Sequence, residues 1–427
     1  MYYEHHVHLY GCLTAEDVWL LGREVWQQRH AQLDWFADSY RRGFGVDPQY
    51  QKFWQSDAGY DLLRMAYEVN TGLSFAQFQA KCNLLHALFP LNAKSCEQIW
   101  ERVLTRDMAS GLIYAEYRTM YPATMAVEHF RMVNAILARK VAASGKSFQP
   151  RFAISLARQP DLAISQYQQL AALKDELTYL TAIDLCGDEE DYPPQLYQQL
   201  FALIRADNER SKRKLAILAH VGESFSRVHV ASSIRWVVQA HMLGVQRLGH
   251  AIALGVEIAS MEGKTVKESR AERAAHLRWL ADNPLSDYGY VCDQQFLQAE
   301  SQRLELAGNA VNGVVELSYD DASMQDTMAL QAAALRYAQD KGMVIESCPT
   351  SNRYLASIDA DEHHPLVKFA EHDLTLTISA DDPGIFVTNI AQEWEIAARL
   401  VPASFLQKLK TQQSLLCSEK LISSRLY

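Results

Sequence analysis

Four stretches of the chain place groups able to bind a cation or move a proton at the ends of short apolar runs. The first run ends in His6-Val7-His8. Alternate residues of a strand share a face, so the two imidazoles project together, as a pair of metal ligands requires. With 14 histidines in 427 residues, about half an HxH pair arises by chance, so the pair alone does not exclude a satisfied core arrangement. The run LAILAH ends in His220, followed shortly by Glu223. That pair suits a ligand beside a proton donor, or a core histidine ahead of a helix-start glutamate. His250 closes RLGH, where a structural histidine is the simple alternative. Asp381-Asp382-Pro383 follows LTLTISA. Adjacent carboxylates there repel unless they are solvated, hydrogen-bonded or facing a cation, and a helix cap ahead of proline competes with the cation. Three imidazoles and a carboxylate drawn from these four stretches would make a donor set for zinc or a similar ion.

The elements that must carry these groups recur in a regular order. Apolar runs that read as buried parallel strands fall at 2–8, 112–118, 151–157, 177–185, 215–220, 245–249, 343–347 and 374–379. Most are followed by Gly, Pro, Asp or Ser. Helix-patterned segments intervene, such as 191–208, 228–243 and 325–341. Strand alternating with helix gives a parallel sheet covered on its faces, and eight such units close an α/β, (β/α)8 TIM barrel. Active sites of such barrels assemble at the C-terminal strand ends, where all four stretches lie. The chain then reads as a single barrel domain, 1–427, with two additions. Extra helices after the first strand form a lobe at about 14–110, including the amphipathic Leu73–Phe89, and a helical insertion at about 256–324 follows the sixth strand.

Composition sets further bounds. Forty-eight per cent hydrophobic and 22% charged residues are ordinary for a globular chain. Forty-one basic against 51 acidic residues leave a net charge of −10, which disfavours a nucleic-acid polymer as partner while admitting a single nucleoside or nucleotide. Seven cysteines without a CxxC pair suit a reducing compartment. No run of about 20 apolar residues is present. The N-terminal MYYEHHVHLYGCL lacks the basic-then-apolar pattern of a secretory signal. The expectation is a cytoplasmic enzyme with no membrane partner; oligomeric state is open.

The ordered set HVHLYG (6–11), HVGE (220–223), RLGH (247–250), CPTSN (348–352) and DDP (381–383) resembles the adenosine deaminase family of metal-dependent amidohydrolases. AIDLCGDE (182–189) and GLIYAEYR (111–118) resemble its fourth and second strands. The resemblance implies one Zn2+ per chain held by His6, His8, His220 and Asp381, with His250 orienting a water that the cation acidifies. It implies that Glu223 protonates the purine ring nitrogen beside the attacked carbon. Asp382 and the backbone N–H of Gly187 would bind other ring nitrogens, and His8 would also contact substrate. The implied reaction is hydrolytic deamination of adenosine, deoxyadenosine or a related purine to the 6-oxopurine and ammonia. The absence of lysine between 177 and 188 and of any CxxC pair favours one metal over two and sets the site apart from cytidine-deaminase chemistry.

The sequence departs from the family pattern in two places. Tyr10 stands where members usually carry the Asp of HLDG, and a phenol cannot supply the same charged acceptor. That opens the alternatives of another aminopurine, an N6-modified nucleotide, or a metal-bearing binding protein that does not turn over. The insertion would cap the site or serve a partner.

Overall fold

The computed structural model describes residues 2–89, 93–120, 126–145, 147–306, 313–358 and 360–423. Its main sheet has eight parallel strands, in the order β1 (Tyr2–His8), β2 (Leu112–Thr119), β3 (Gln149–Leu156), β4 (Leu180–Leu185), β5 (Ala216–Val221), β6 (Arg247–His250), β9 (Val344–Ser347) and β10 (Thr375–Ile378). β7 (Thr265–Ser269) and β8 (Val314–Ser318) pair separately as an antiparallel ribbon. The residue just past β10 closes the ring onto β1. The His8 N–H donates to the Asp381 carbonyl at 2.8 Å, and the Asp381 N–H donates to the His6 carbonyl at 3.0 Å. The fold is the expected (β/α)8 barrel. Strands β4, β6, β9 and β10 are shorter than their apolar runs, since flanking residues such as Leu177, Val245, Met343 and Leu374 are buried without joining the ladder.

Five helices lie between β1 and β2: α1 (Ala15–Val25), α2 (His30–Phe44), α3 (Asp57–Tyr67), α4 (Phe75–Leu88) and α5 (Ala93–Ala109). Their starts are written locally. Thr14 and Asp17 form a reciprocal capping box on α1, and Ser74 and Gln77 do the same on α4. Helix α4 lays Phe75, Phe78, Cys82 and Leu85 along the barrel mouth, at spacings that share a helix face.

The insertion is not purely helical. It holds α6 (Arg270–Asp282) and α7 (Gln294–Leu306), but also the β7–β8 ribbon, with 307–312 outside the described residues. It packs on the barrel's flank. Glu268 accepts from the His229 N–H at 3.0 Å, the Tyr319 hydroxyl accepts from the Val230 N–H at 3.0 Å, and the His229 ring stacks on Tyr319 with centroids 4.2 Å apart. No residue lining the cavity described below comes from the insertion, so it does not cap that cavity among the described residues.

The opposite end of the barrel is closed by the C-terminal segment. Ile422 packs against Ala153, Ala182, Ala216 and Leu218, and Ser418 bonds Glu116 through both its N–H and its hydroxyl at 2.8 Å. The small alanines leave room for that plug.

Candidate metal centre and active site

The residues singled out in the sequence meet at the C-terminal end of the barrel. Alternation along β1 brings His6 and His8 to the same side, with ring centroids 5.4 Å apart. His220 comes from β5, His250 from the end of β6 and Asp381 from just beyond β10. Donor atoms of His6, His220, His250 and Asp381 lie within 4.8 Å of one another. His8 joins them, its Nε2 3.1 Å from His220 Nε2 and 3.4 Å from Asp381 Oδ1. The expected residues therefore lie together, His250 in one group with His6, His220 and Asp381, and His8 in a second with Asp381 and Asp382. His250 and Asp381 both have positive φ (63° and 61°), a conformation that costs non-glycine residues energy and persists only where surroundings enforce it.

The donor set fits a divalent cation. Burial depresses the pKa of His220 to about 4 and pushes His8 well below its ordinary range, so both rings are neutral with a lone pair to offer. Their Nε2 atoms face each other across 3.1 Å, where only one proton can sit, with a carboxylate alongside. His250 Nε2 is buried and has no hydrogen-bond partner in the protein. A cation between His8, His220 and Asp381 resolves the first two, and a water beside it would give His250 Nε2 its partner. The outer nitrogens of His6 and His220 face acceptors, as metal-ligating imidazoles require. His6 Nδ1 lies 2.9 Å from Glu346 Oε2, and His220 Nδ1 lies 3.2 Å from the Leu185 carbonyl.

The acid–base groups stand beside this set. Glu223 is buried, with Oε1 3.6 Å from His250 Nε2, and burial raises its pKa to about 7 against the opposing pull of His250. His250 itself is raised: burial lowers it, but Glu223 and Asp381 outweigh that. Asp381 is held well below the carboxylate range by His250 and His6 despite its burial. Asp382 goes the other way, driven up by burial and then by the charges of Asp381 and Glu223. Two neighbouring carboxyls are thus pushed in opposite directions.

Several positioning groups escaped the sequence reading. The Glu189 carboxylate accepts from the backbone N–H groups of Gly222, Glu223 and Ser224 at 2.7–3.0 Å and fixes the turn that aims Glu223. Asn352 Oδ1 accepts from His250 Nδ1 at 2.9 Å, which leaves Nε2 facing the site. Beneath the histidines lies a fully buried belt of charge. Arg118 binds Asp184 and Glu346, and Arg247 binds Glu346 and Glu116. Arg118 Nη1 also approaches His6 Nε2 at 3.3 Å. The signal for the belt was a charged residue at the centre of an apolar strand, as in YAEYR and VIES.

Above the centre is a cavity of about 170 Å³. His8, His220, Glu223, Asp381, Asp382 and Gly187 line its floor. Gly187 has φ +89°, which L side chains rarely adopt, so the backbone is presented bare. At Gly11 the need is space: a Cβ there would stand 1.6 Å from Asp382 Oδ1.

Comparison with known proteins gives matches along the chain. The family model described as adenosine deaminase matches residues 319–410. An adenosine deaminase of Shewanella loihica is 25% identical over 291 residues, 67% of this chain and 61% of that protein's length. The structure of an adenine deaminase from Arthrobacter aurescens superposes with a TM-score of 0.57 at 17% identity, covering 98% of this chain and 97% of that one. An amidohydrolase from Burkholderia ambifaria with bound zinc gives 0.53 at 14%, covering 99% and 92%.

Proposed function

We propose, on the premise that the chain is an adenosine deaminase-like protein, that it is a metal-dependent hydrolase removing the exocyclic amine of an adenine-containing purine, adenosine or deoxyadenosine first among them. The observation that carries this reading is Glu223: a carboxyl kept near neutrality by burial, beside three imidazoles and a charged aspartate, inside a cavity.

His6, His8, His220 and Asp381 would hold one zinc ion. Zinc in such a donor set supplies a water nucleophile that is deprotonated at neutral pH. The remaining steps belong to the chain. His250, its Nδ1 engaged by Asn352, presents Nε2 to orient the water and take its proton. Glu223, protonated at about pH 7, gives its proton to the ring nitrogen beside the attacked carbon, which makes that carbon electrophilic. Asp382, driven toward the neutral acid, donates its O–H to the imidazole-side nitrogen. The Gly187 N–H donates to the remaining pyrimidine-side nitrogen, the bare backbone allowing close approach. Addition of water at that carbon and return of a proton to the amine release ammonia and leave a 6-oxopurine. The whole chain acts as one barrel domain, with the lobe at about 14–110 shielding the mouth and the insertion at about 256–324 serving a partner or subunit contact.

The test is ammonia release from a purine panel by zinc-loaded protein and its Glu223→Gln variant. The reading predicts a loss of 100-fold or more in kcat, in the range of roughly 10²–10⁴ for a general acid. Ammonia release untouched by the substitution contradicts it.

A further inference from the structure

We propose that Glu4 is a positioning residue of the metal centre, its carboxylate fixing the separation of His6 and Asp381 across the seam where the barrel closes. The proposal rests on the metal centre of the deaminase reading and adds to it a residue outside the donor set.

The seam between β10 and β1 differs from every other junction of the ring. The remaining neighbours pair as ladders, whereas among the described residues β10 meets β1 through the isolated bridge of Val7 with Asp381. A ladder gives each N–H along a strand edge a carbonyl to bond. Here side chains take that place. The His6 N–H donates to Glu4 Oε1 at 3.2 Å, the Ala380 N–H to Glu4 Oε2 at 3.1 Å, and the His5 N–H to Ser379 Oγ at 3.3 Å. Glu4 is buried, and a buried N–H without an acceptor is disfavoured. One carboxylate therefore holds the backbone of one metal ligand and of the residue before another.

β1 carries an extra residue at the same point. Glu4 stands opposite Ala115 and Val7 opposite Tyr117, so His5 and His6 have no register partners on β2. Such a bulge disrupts the ladder locally and re-aims the side chains beside it. Glu4 accepts the His6 N–H at this bulge, and the His6 ring then reaches Glu346 with Nδ1 at 2.9 Å and Asp381 with Nε2 at 3.4 Å. A slip of one residue turns a strand over and would send His6 away from the centre.

The other side of the seam needs the same support. Asp381 stands at φ 61°, a conformation that persists only where its surroundings enforce it. Glu4 clamps the N–H immediately before it, and the His6 carbonyl accepts the Asp381 N–H at 3.0 Å. Both ligands thus take their direction from backbone that Glu4 ties together.

The experiment measures the zinc affinity of the whole chain by competition with a chromophoric chelator, and the visible absorption of Co2+-loaded protein, which reports coordination geometry. Glu4→Gln keeps the shape and one acceptor but turns an amide N–H toward the second backbone N–H; Glu4→Ala removes both acceptors. Expected is zinc bound about 10-fold more weakly by Glu4→Gln and up to about 100-fold by Glu4→Ala, the range for outer groups that hold metal ligands, with the Co2+ bands shifted in both. Thermal unfolding of the metal-free proteins shows which variants fold, and Glu4→Gln decides if Glu4→Ala does not. A folded Glu4→Gln variant with parental zinc affinity and an unchanged Co2+ spectrum overturns the proposal and leaves the deaminase reading standing. A lower Tm with neither change, or a Glu4→Gln variant that does not fold, also overturns it, assigning Glu4 to the barrel's stability alone. Parent protein that takes up neither ion removes the metal centre and this proposal with it.

Discussion

Replacing Arg247 by Met tests whether the buried belt of charge holds the barrel together beneath the site. Arg247 is fully buried. Its Nε donates to Glu346 at 2.7 Å, its Nη1 to the Leu416 carbonyl at 2.7 Å, and its Nη2 to Glu116 and to the His5 carbonyl. The substitution takes the guanidinium from Glu116, leaving it the hydrogen bonds of Ser418 and Tyr114, and weakens the pairing of Glu346, a loss of about 3–5 kcal/mol for a broken buried pair. At roughly 2 cal/mol/K of unfolding entropy per residue, a chain of 427 residues shifts by about 1 °C per kcal/mol, so Tm falls by about 3–5 °C. The pH dependence has a definite sign. Burial raises Glu116, but Arg247 outweighs it and the folded carboxyl stays below its ordinary value. Its contribution in the parent protein is therefore present above the unfolded pKa of about 4.5 and lost as pH falls below it. Without Arg247, burial is opposed only by His5 and the hydrogen bonds of Tyr114 and Ser418, and the folded carboxyl is pushed up toward protonation. The deficit of the variant is then widest at pH 8 and narrows toward pH 5. Scanning calorimetry of both proteins at the two pH values reads it, and adding Glu116→Gln to the variant should restore part of the loss. A Tm deficit under 1 °C, or one that does not change with pH, refutes the reasoning.

Two further outcomes follow from the geometry. With a purine substrate, kcat should fall tenfold per unit well above pH 7 as Glu223 loses its proton, and fall on the acid side as His250, itself raised, takes up a proton and ceases to act as base; a rate that rises through pH 8 assigns the acid elsewhere. Asn352→Ala frees the His250 ring and should cost 10–100-fold in kcat with little change in KM, the usual cost of removing a group that orients an active-site imidazole; unaltered kcat would show that the hydrogen bond does not orient His250.

The site was legible because each of its groups sits at the end of an apolar run, where strand periodicity and barrel topology dictate direction. His6 and His8 share a face by alternation alone, and the strand ends at His220 and His250 were readable to within a residue. The belt beneath was harder to read. Glu116, Arg118, Glu346 and Arg247 are charges buried inside strands, and a linear sequence does not reveal that opposite charges from β2, β6 and β9 meet. The ribbon within the insertion was missed because TVKES and VVELS are five residues each, far apart in the chain, with no turn signal linking them. The C-terminal plug, with a final helix of only six residues, is too short to show a periodic face. The role of Glu189 could not be read either, because its partners are backbone N–H groups that carry no side-chain signature.

The central claim, that these side chains converge on one divalent centre that deaminates a purine, is tested most directly on one sample before and after chelation. Metal analysis and ammonia release from adenosine are measured together. The account predicts one zinc per chain, ammonia release that disappears with the metal, and both restored in parallel when zinc is returned. Protein that takes up no ion at saturating zinc, or that releases ammonia at the same rate without one, contradicts it.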